Sequence, residues 1–368
     1  MSRLLTLGWE TGLVGITLGA EQEAGGAGGA GQTLSLGSNV PSISTTVINS
    51  GGSLRSLILQ NQNGGNQTLL WGLGSTASEL FFRAAIQTSS MVAGVPFLGL
   101  SLGSSFMQLY LAWDASGNIV VKTYNGTAST TLGTSSGVAV TANTWYWLTG
   151  HIVASTTVGS VTLSLNGTQI LNLTSVNTAP QSTNNYDSLT LGNGISIQSV
   201  GGWSNTGNST YWDDLAVNNA AGTINNGIPA NAAIIYLAPN GDSTPLAWTP
   251  DAGTTHSTQV ATVPATQTTH YVASSTAAQQ DTYTLADLTG AVASIAAVVP
   301  VVTAAVPAGT GGVEMGIVSG ATTHTGSSHT LTASAVQYAD AAIETDPNTS
   351  AAWTAAAVNA LLFQLTST

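Results

Sequence analysis

Two carboxylates stand side by side, Asp213 and Asp214 in TYWDDLAVNN (210–219), in a chain whose 368 residues include only 16 acidic and 4 basic side chains. Paired acids serve as acid and base in glycoside cleavage, ligate a hard cation through oxygen, or accept hydrogen bonds from backbone amides. If this stretch is an unbroken strand, Tyr211, Asp213, Leu215 and Val217 share one face, and Trp212, Asp214 and Ala216 the other. Asp213 then lies on the more apolar face, where a carboxylate must be hydrogen-bonded, paired or metal-bound. With so few cations in the chain, the partners left are backbone amides, Trp or Tyr donors, and calcium. Asp213 and Asp214 are therefore the candidate metal ligands, with calcium as the ion; no other cofactor is implied.

Glycoside cleavage needs two converging carboxylates. The acids of residues 1–220 are Glu10, Glu21, Glu23, Glu79, Asp114, Asp187, Asp213 and Asp214, and no alternating E-x-D-x-x-E set occurs among them. On that supply the chain is expected not to be an enzyme. The histidines, His151, His256, His270, His324 and His329, show neither H-E-x-x-H nor H-x-H spacing, and read as isolated loop or surface residues. No G-x-S-x-G elbow is present to position a nucleophilic serine.

Aromatic rings offer different chemistry, because a sugar ring stacks on an exposed Trp or Tyr while Asn and Asp take its hydroxyls. Trp203 and Asn205 in the loop-like GGWSNTGNS (201–209), with Trp212, form the candidate glycan site. Trp145 and Trp147 of TWYWLTG (144–150) fall on one strand face and are expected to fill a core, with Tyr146 opposite.

Charge narrows the partners. Residues 1–122 hold 4 basic and 5 acidic side chains, and residues 123–368 hold none and 11. Nucleic acid, which needs clustered Lys or Arg to displace counterions, is excluded. With no cysteine there is neither a disulfide nor a thiolate zinc site. The opening MSRLLTLGWETGLVGITLGA is broken by GWETG and does not read as a signal peptide. The most apolar stretch, GAVASIAAVVPVVTAAVPAG (290–309), contains Pro300 and Pro307 and suits buried strand better than a membrane helix.

The elements that must position these residues are short strands. SLRSLILQ, ELFFRAAIQ, MQLYLAWD, NIVVKTYN, TWYWLTGHIV, DSLTLGN and YWDDLAVNN are rich in β-branched, Leu and aromatic residues and are separated by Gly, Asn and Ser clusters. In SVTLSLNGTQILNLT, Val161, Leu163 and Leu165 alternate with polar residues, Asn166-Gly167 predicts a type I′ turn, and Ile170 begins the return strand. WDASGNIVV repeats the device at Ser116-Gly117-Asn118. Strands without intervening helical periodicity predict an antiparallel sandwich. GGAGGAG (25–31) lacks the Lys and helix of a phosphate cradle. A boundary falls near 219–232, and Thr354 is placed to N-cap a short helix before a last strand in LFQLTST.

The order ELFFRAAIQ, SGNIVVKTYN, TWYWLTGHI, VTLSLNGTQI and YWDDLAVNN resembles the laminin-G-like, concanavalin-A-like jelly roll over about residues 3–220. APNGDSTPLAWTP, THYVASSTAAQQDTYTLADLTG and, most distinctively, ETDPNTSAAWTAAAVNAL resemble the C-terminal half of tailed-bacteriophage virion proteins that carry an N-terminal lectin-like domain. This half lacks the Arg and Lys usually scattered through that family. The resemblance implies an all-β chain with a jelly roll over 1–220, and a second β-sandwich-like, virion-assembly domain over 221–368 bearing one short C-terminal helix. It implies a non-enzymatic structural protein on the particle surface, in head decoration, fibre or tail, made in the host cytoplasm. Its partners would be other virion subunits, copies of itself and a cell-surface glycan, with no nucleic acid and no membrane. The alternatives left open are a secreted or cell-surface lectin, a polysaccharide depolymerase drawing on Asp242, Asp251, Asp281 or Glu314, and a ligand-free cement protein.

Overall fold

The computed structural model describes residues 3–7, 34–36, 42–44, 56–62, 65–66, 68–102, 106–181, 184–192, 208–221, 225–229, 234–261, 269–333 and 336–368. The chain is all-β, in antiparallel sheets, with two helices of five residues each among the described residues.

The N-terminal unit is two facing sheets. One runs in the order Thr168–Val176, Gly159–Leu165, Tyr146–Val153, Glu79–Thr88, Ser209–Asn219, Ser56–Gln62 and Ser42–Ser44, with Arg3–Leu7 beside Ser209–Asn219. The other runs Ser129–Thr134, Ile119–Tyr124, Phe106–Trp113, Pro96–Leu102, Tyr186–Gly192, Thr68–Ala77 and Leu34–Leu36. Alternation builds the core between them: Leu80, Phe82, Ala84 and Ile86 from one strand meet Leu148 and Ile152, Val161, Leu163 and Leu165, and the other sheet's Leu109, Leu111 and Trp113. Each of the larger apolar side chains contributes roughly 1.5–3 kcal/mol when fully buried. The predicted hairpin is present, with Asn166 at φ 49 and Gly167 at φ 81 between the Gly159–Leu165 and Thr168–Val176 strands. Positive φ at both turn positions matches the right-handed twist of the flanking strands. At the second turn Asp114 Oδ1 accepts from the amides of Ser116 and Asn118.

Contacts divide the chain so that Ile234 closes the first unit and Ile235 opens the main run of the second. The break falls just beyond the 219–232 stretch expected from composition, and later than the 220/221 limit that the resemblance implies. The intervening segment is tied back to the sandwich: Asn218 Nδ2 donates to Gly227 O, and the Ile234 amide donates to Asp214 Oδ1.

The second unit is built on a five-stranded sheet in the order Pro239–Leu246, Gln280–Leu285, Leu362–Ser367, Gly312–Ser319 and Thr322–Thr330. Thr354 caps the expected helix, Ala355–Asn359, by accepting from the Ala357 amide, and the expected last strand follows as Leu362–Ser367. A second helix, His256–Val260, adds to the one expected. Its own N-cap residue, Thr255, makes no side-chain cap, and the first amides, of His256 and Ser257, instead donate to the distant Asp242 carboxylate. The signature ETDPNTSAAWT is a fold device as well. Asp346 accepts from Ser319 Oγ, the Asn348 amide and Thr349 Oγ1, and Trp353 Nε1 donates to Ile343 O.

Candidate functional site

Asp213 and Asp214 lie at a β-bulge rather than forming a binding pair. Ser209–Asn219 pairs with Glu79–Thr88 as Asp213 opposite Ala85 and Ala216 opposite Arg83, so two residues, Asp214 and Leu215, face one. Asp214 sits at φ 49, a left-handed conformation that Asp tolerates better than most residues. The extra residue shifts the alternation by one. Trp212, Leu215 and Val217 therefore all enter the core, while Asp213, Ala216 and Asn218 take the outer face. This corrects the expectation for an unbroken strand, in which Asp213, Leu215 and Val217 shared a side.

Both carboxylates are fully buried, and their Oδ1 atoms are spent on amides: Asp213 on the Asp214 N–H at 2.8 Å, Asp214 on the Ile234 N–H at 2.5 Å. Arg83 Nε donates to the Asp214 carbonyl at 3.1 Å. A calcium site needs six or more oxygen ligands. Among the described residues no three acidic or histidine side chains gather in a way that could hold a metal. Asp213 and Asp214 do not fit calcium and instead seat the Ser209–Asn219 strand between Glu79–Thr88 and Ser56–Gln62.

Trp212, expected to contact glycan, is 0% exposed, with its ring 6.1 Å from that of Phe97. No ligand reaches it, so Trp212 is withdrawn from the site. Trp203 and Asn205 lie outside the described residues.

Trp147, by contrast, faces outward. In Tyr146–Val153 the inward positions are Leu148, Gly150 and Ile152, leaving Trp147, Thr149, His151 and Val153 outside. Gly150 is required there because Phe82 lies over it, and a Cβ would come within 2.1 Å of the ring. Tyr146, not Trp147, packs against the core, so the expected orientation of this strand is reversed.

Register extends the outer face into rows. His151 stands between Phe81 and Thr162, and Thr162 stands opposite Asn172; Thr149 stands between Arg83 and Ser164, and Ser164 opposite Gln169. Trp147 lies opposite Ala85, with its amide bonded to Asn166 Oδ1 and the Arg83 guanidinium 5.3 Å from its ring centroid. His151 Nε2 is 2.7 Å from Glu79 Oε1, and its ring stacks on Phe81 at 4.3 Å. The His151 and Glu79 side chains are 28% and 34% exposed, whereas Arg83 is only 4% exposed. The accessible part of the face is thus a strip of one indole, one histidine–glutamate pair and several hydroxyl and amide groups.

The expectation of isolated histidines also fails elsewhere. His256 Nδ1 is 2.6 Å from Asp281 Oδ2, and His329 Nε2 is 3.0 Å from Asp340 Oδ1. The partners are 72, 25 and 11 residues apart for His151, His256 and His329, separations that no short motif reveals. Asp281 is fully buried and accepts from the amides of Ala247 and Trp248 and from Tyr283 Oη, beside its contact with His256. Burial, then the hydrogen bond and charge of Asp281, push the Tyr283 hydroxyl far above its ordinary value. Asp281 and Asp242 thus hold the unit together and do not form an open carboxylate pair.

No protein-family model and no curated protein matches this chain. Among solved structures, it is similar to an endo-β-1,4-glucuronan lyase from the fungus Trichoderma reesei (12% identity, TM-score 0.41, covering 59% of this chain and 95% of the lyase). It is also similar to the alginate lyase Aly36B (15% identity, TM-score 0.36, covering 58% and 96%). A third is a structure of botulinum neurotoxin type C, whose cell entry depends on interaction with two ganglioside molecules (10% identity, TM-score 0.38, covering 59% of this chain and 47% of the toxin chain). This chain spans about half of that toxin chain.

The expectation that the chain is not an enzyme is corrected on this finding, since polysaccharide lyases stand among the similar structures. The exclusion weighed mainly the carboxylate pair of a hydrolase. Proton transfer by His or Tyr is a separate route that acid counting does not address.

Proposed function

We propose that this chain is a carbohydrate-binding surface protein of a tailed-bacteriophage particle, with the Trp147 strip as its contact for a cell-surface glycan. The observation that carries the glycan contact is the outward, partly exposed Trp147, set beside hydroxyl and amide side chains on a rigid sheet. Flat indole and short polar groups match the alternating apolar and hydroxyl surfaces of a sugar ring, and strand positions hold them in fixed register. The virion setting is supported by the order of the jelly-roll motifs and by ETDPNTSAAWT in the second unit. With no Lys or Arg after Lys122, trypsin-like proteases find few sites in the exposed chain.

Partners on this reading are other virion subunits and copies of the chain itself. Many copies on one particle convert a weak sugar contact into firm attachment, because each later contact forms at high effective concentration. Two measurements test the reading. Antibody labelling of purified particles is expected to decorate them at many symmetric positions; label confined to the soluble fraction contradicts the virion setting. Glycan-array binding by the purified chain is expected to drop on Trp147→Ala, and an unchanged array contradicts the assigned face.

A further inference from the structure

The strip also selects the class of sugar. We propose that it takes an uncharged oligosaccharide and rejects uronate polymers, an inference that rests on the glycan reading above. A uronate carries a carboxylate on every ring, and a face that binds it must present a cation or a cluster of free N–H donors. The chain has four basic residues. Among the described side chains of this sheet Arg83 is the cation; Arg3 joins the same sheet by backbone register, opposite Asn218 and three strands from His151, and Lys122 lies in the opposite sheet, on Ile119–Tyr124. Arg83 is 4% exposed, commits Nε to the Asp214 carbonyl and lies against the Trp147 ring, so a ligand carboxylate gains no open contact with it.

The accessible hydrogen-bonding positions along the strip, Thr162, Ser164, Asn166, Gln169 and Asn172, are neutral, and Thr149 is buried. Glu79, partly exposed beside His151, contributes a carboxylate that repels another. A chain of formal net charge −12 adds long-range repulsion of polyanions, screened beyond about 8 Å at physiological salt. Hydroxyls of a neutral sugar meet none of these costs and find donors and acceptors in both rows.

The experiment is a titration of the full chain, followed by Trp fluorescence and ligand-observed NMR. The probes are neutral oligomers of glucose and galactose, a printed array of other neutral glycans, and oligomers of guluronate and glucuronate. The expected result is binding to at least one neutral glycan, with affinity nearly independent of salt, and no binding to either uronate series. Trp147→Ala is expected to weaken that binding by about tenfold or more. Trp147→Phe keeps a stacking ring, restores part of the affinity and controls for misfolding. Uronate binding equal to or tighter than neutral binding, lost on Trp147→Ala, overturns the class and leaves the glycan face standing. Absence of any binding, or binding that Trp147→Ala leaves unchanged, overturns both.

Discussion

Asp214 shows how much a single backbone dihedral decides. Its φ of 49 shifts the strand phase, and its carboxylate ties Ile234 to the sheet. Asp214→Asn keeps both the tolerance for positive φ and an oxygen acceptor, and is expected to cost little. Asp214→Val puts a β-branched residue in the left-handed region and leaves a partly buried amide without its acceptor, for a loss of about 3 kcal/mol. Urea denaturation of the two variants checks the contrast; equal midpoints would remove the bulge from the account. The two tryptophans of the sheet make a second pair. Trp212→Ala empties a core site and is expected to cost about 3–5 kcal/mol, while Trp147→Ala, at the surface, is expected to leave the midpoint within about 1 kcal/mol. A large loss at Trp147 and a small one at Trp212 would mean that the strand phases are assigned the wrong way round.

At the level of the element, the two glycines of one hairpin region do different work. Gly167 has φ 81, and a Cβ added there would meet nothing within 4 Å, so Gly167→Ala carries backbone strain alone, about 1 kcal/mol. Gly150 has an ordinary backbone but lies under Phe82, so Gly150→Ala forces a core ring aside at roughly 1–3 kcal/mol. Thermal unfolding of both, with Phe82→Leu as a background that relieves only Gly150→Ala, separates the causes. The same elements show what is legible in advance. The Asn166-Gly167 turn, the alternation of Val161, Leu163 and Leu165, and the Thr354 cap are local rules, and all three appear in the structure. The phase of Tyr146–Val153 escapes such rules because three aromatics in a row mask the alternation, and the small inward Gly150 gives no apolar signal. The helix His256–Val260 escapes them because its cap, Asp242, comes from another strand, and the His151–Glu79 pair because it exists only after two strands are set in register.

For the whole molecule, scarcity of charge makes individual carboxylates count. Asp114 is held below its ordinary value of 3.8 against a desolvation push, by bonds from Asn118, Ser116 and Gly117. Asp242 is held low in the same way, against desolvation, chiefly by Ser257 and His256, and Asp346 chiefly by Ser319 Oγ, then by Asn348 and Thr349. A carboxyl whose folded value is depressed binds its proton first in the unfolded chain. Its stabilisation is therefore complete above about 3.8 and lost as pH falls through the lower folded value. A second effect runs the other way: lowering the pH from 7 relieves the self-repulsion of a chain at net charge −12. The repulsion is spread over long, screened distances, whereas the three carboxylates act through direct hydrogen bonds, so the local effect governs once they titrate. The denaturation midpoint is expected to hold level or rise slightly from pH 7 to about 5, then to fall steeply below 3.8. Two of the three groups, Asp242 and Asp346, lie in the second unit, so that unit is expected to unfold first in acid. Hydrogen exchange followed by mass spectrometry as the pH is lowered stepwise below 3.8 would show loss of protection in Gln280–Leu285 and Leu362–Ser367 before Glu79–Thr88. Asp346→Asn, which retains an acceptor but cannot titrate, would flatten the acid slope of the second unit alone. Uniform loss across both units, or a slope unchanged by Asp346→Asn, would show that general charge rather than these carboxylates sets acid stability.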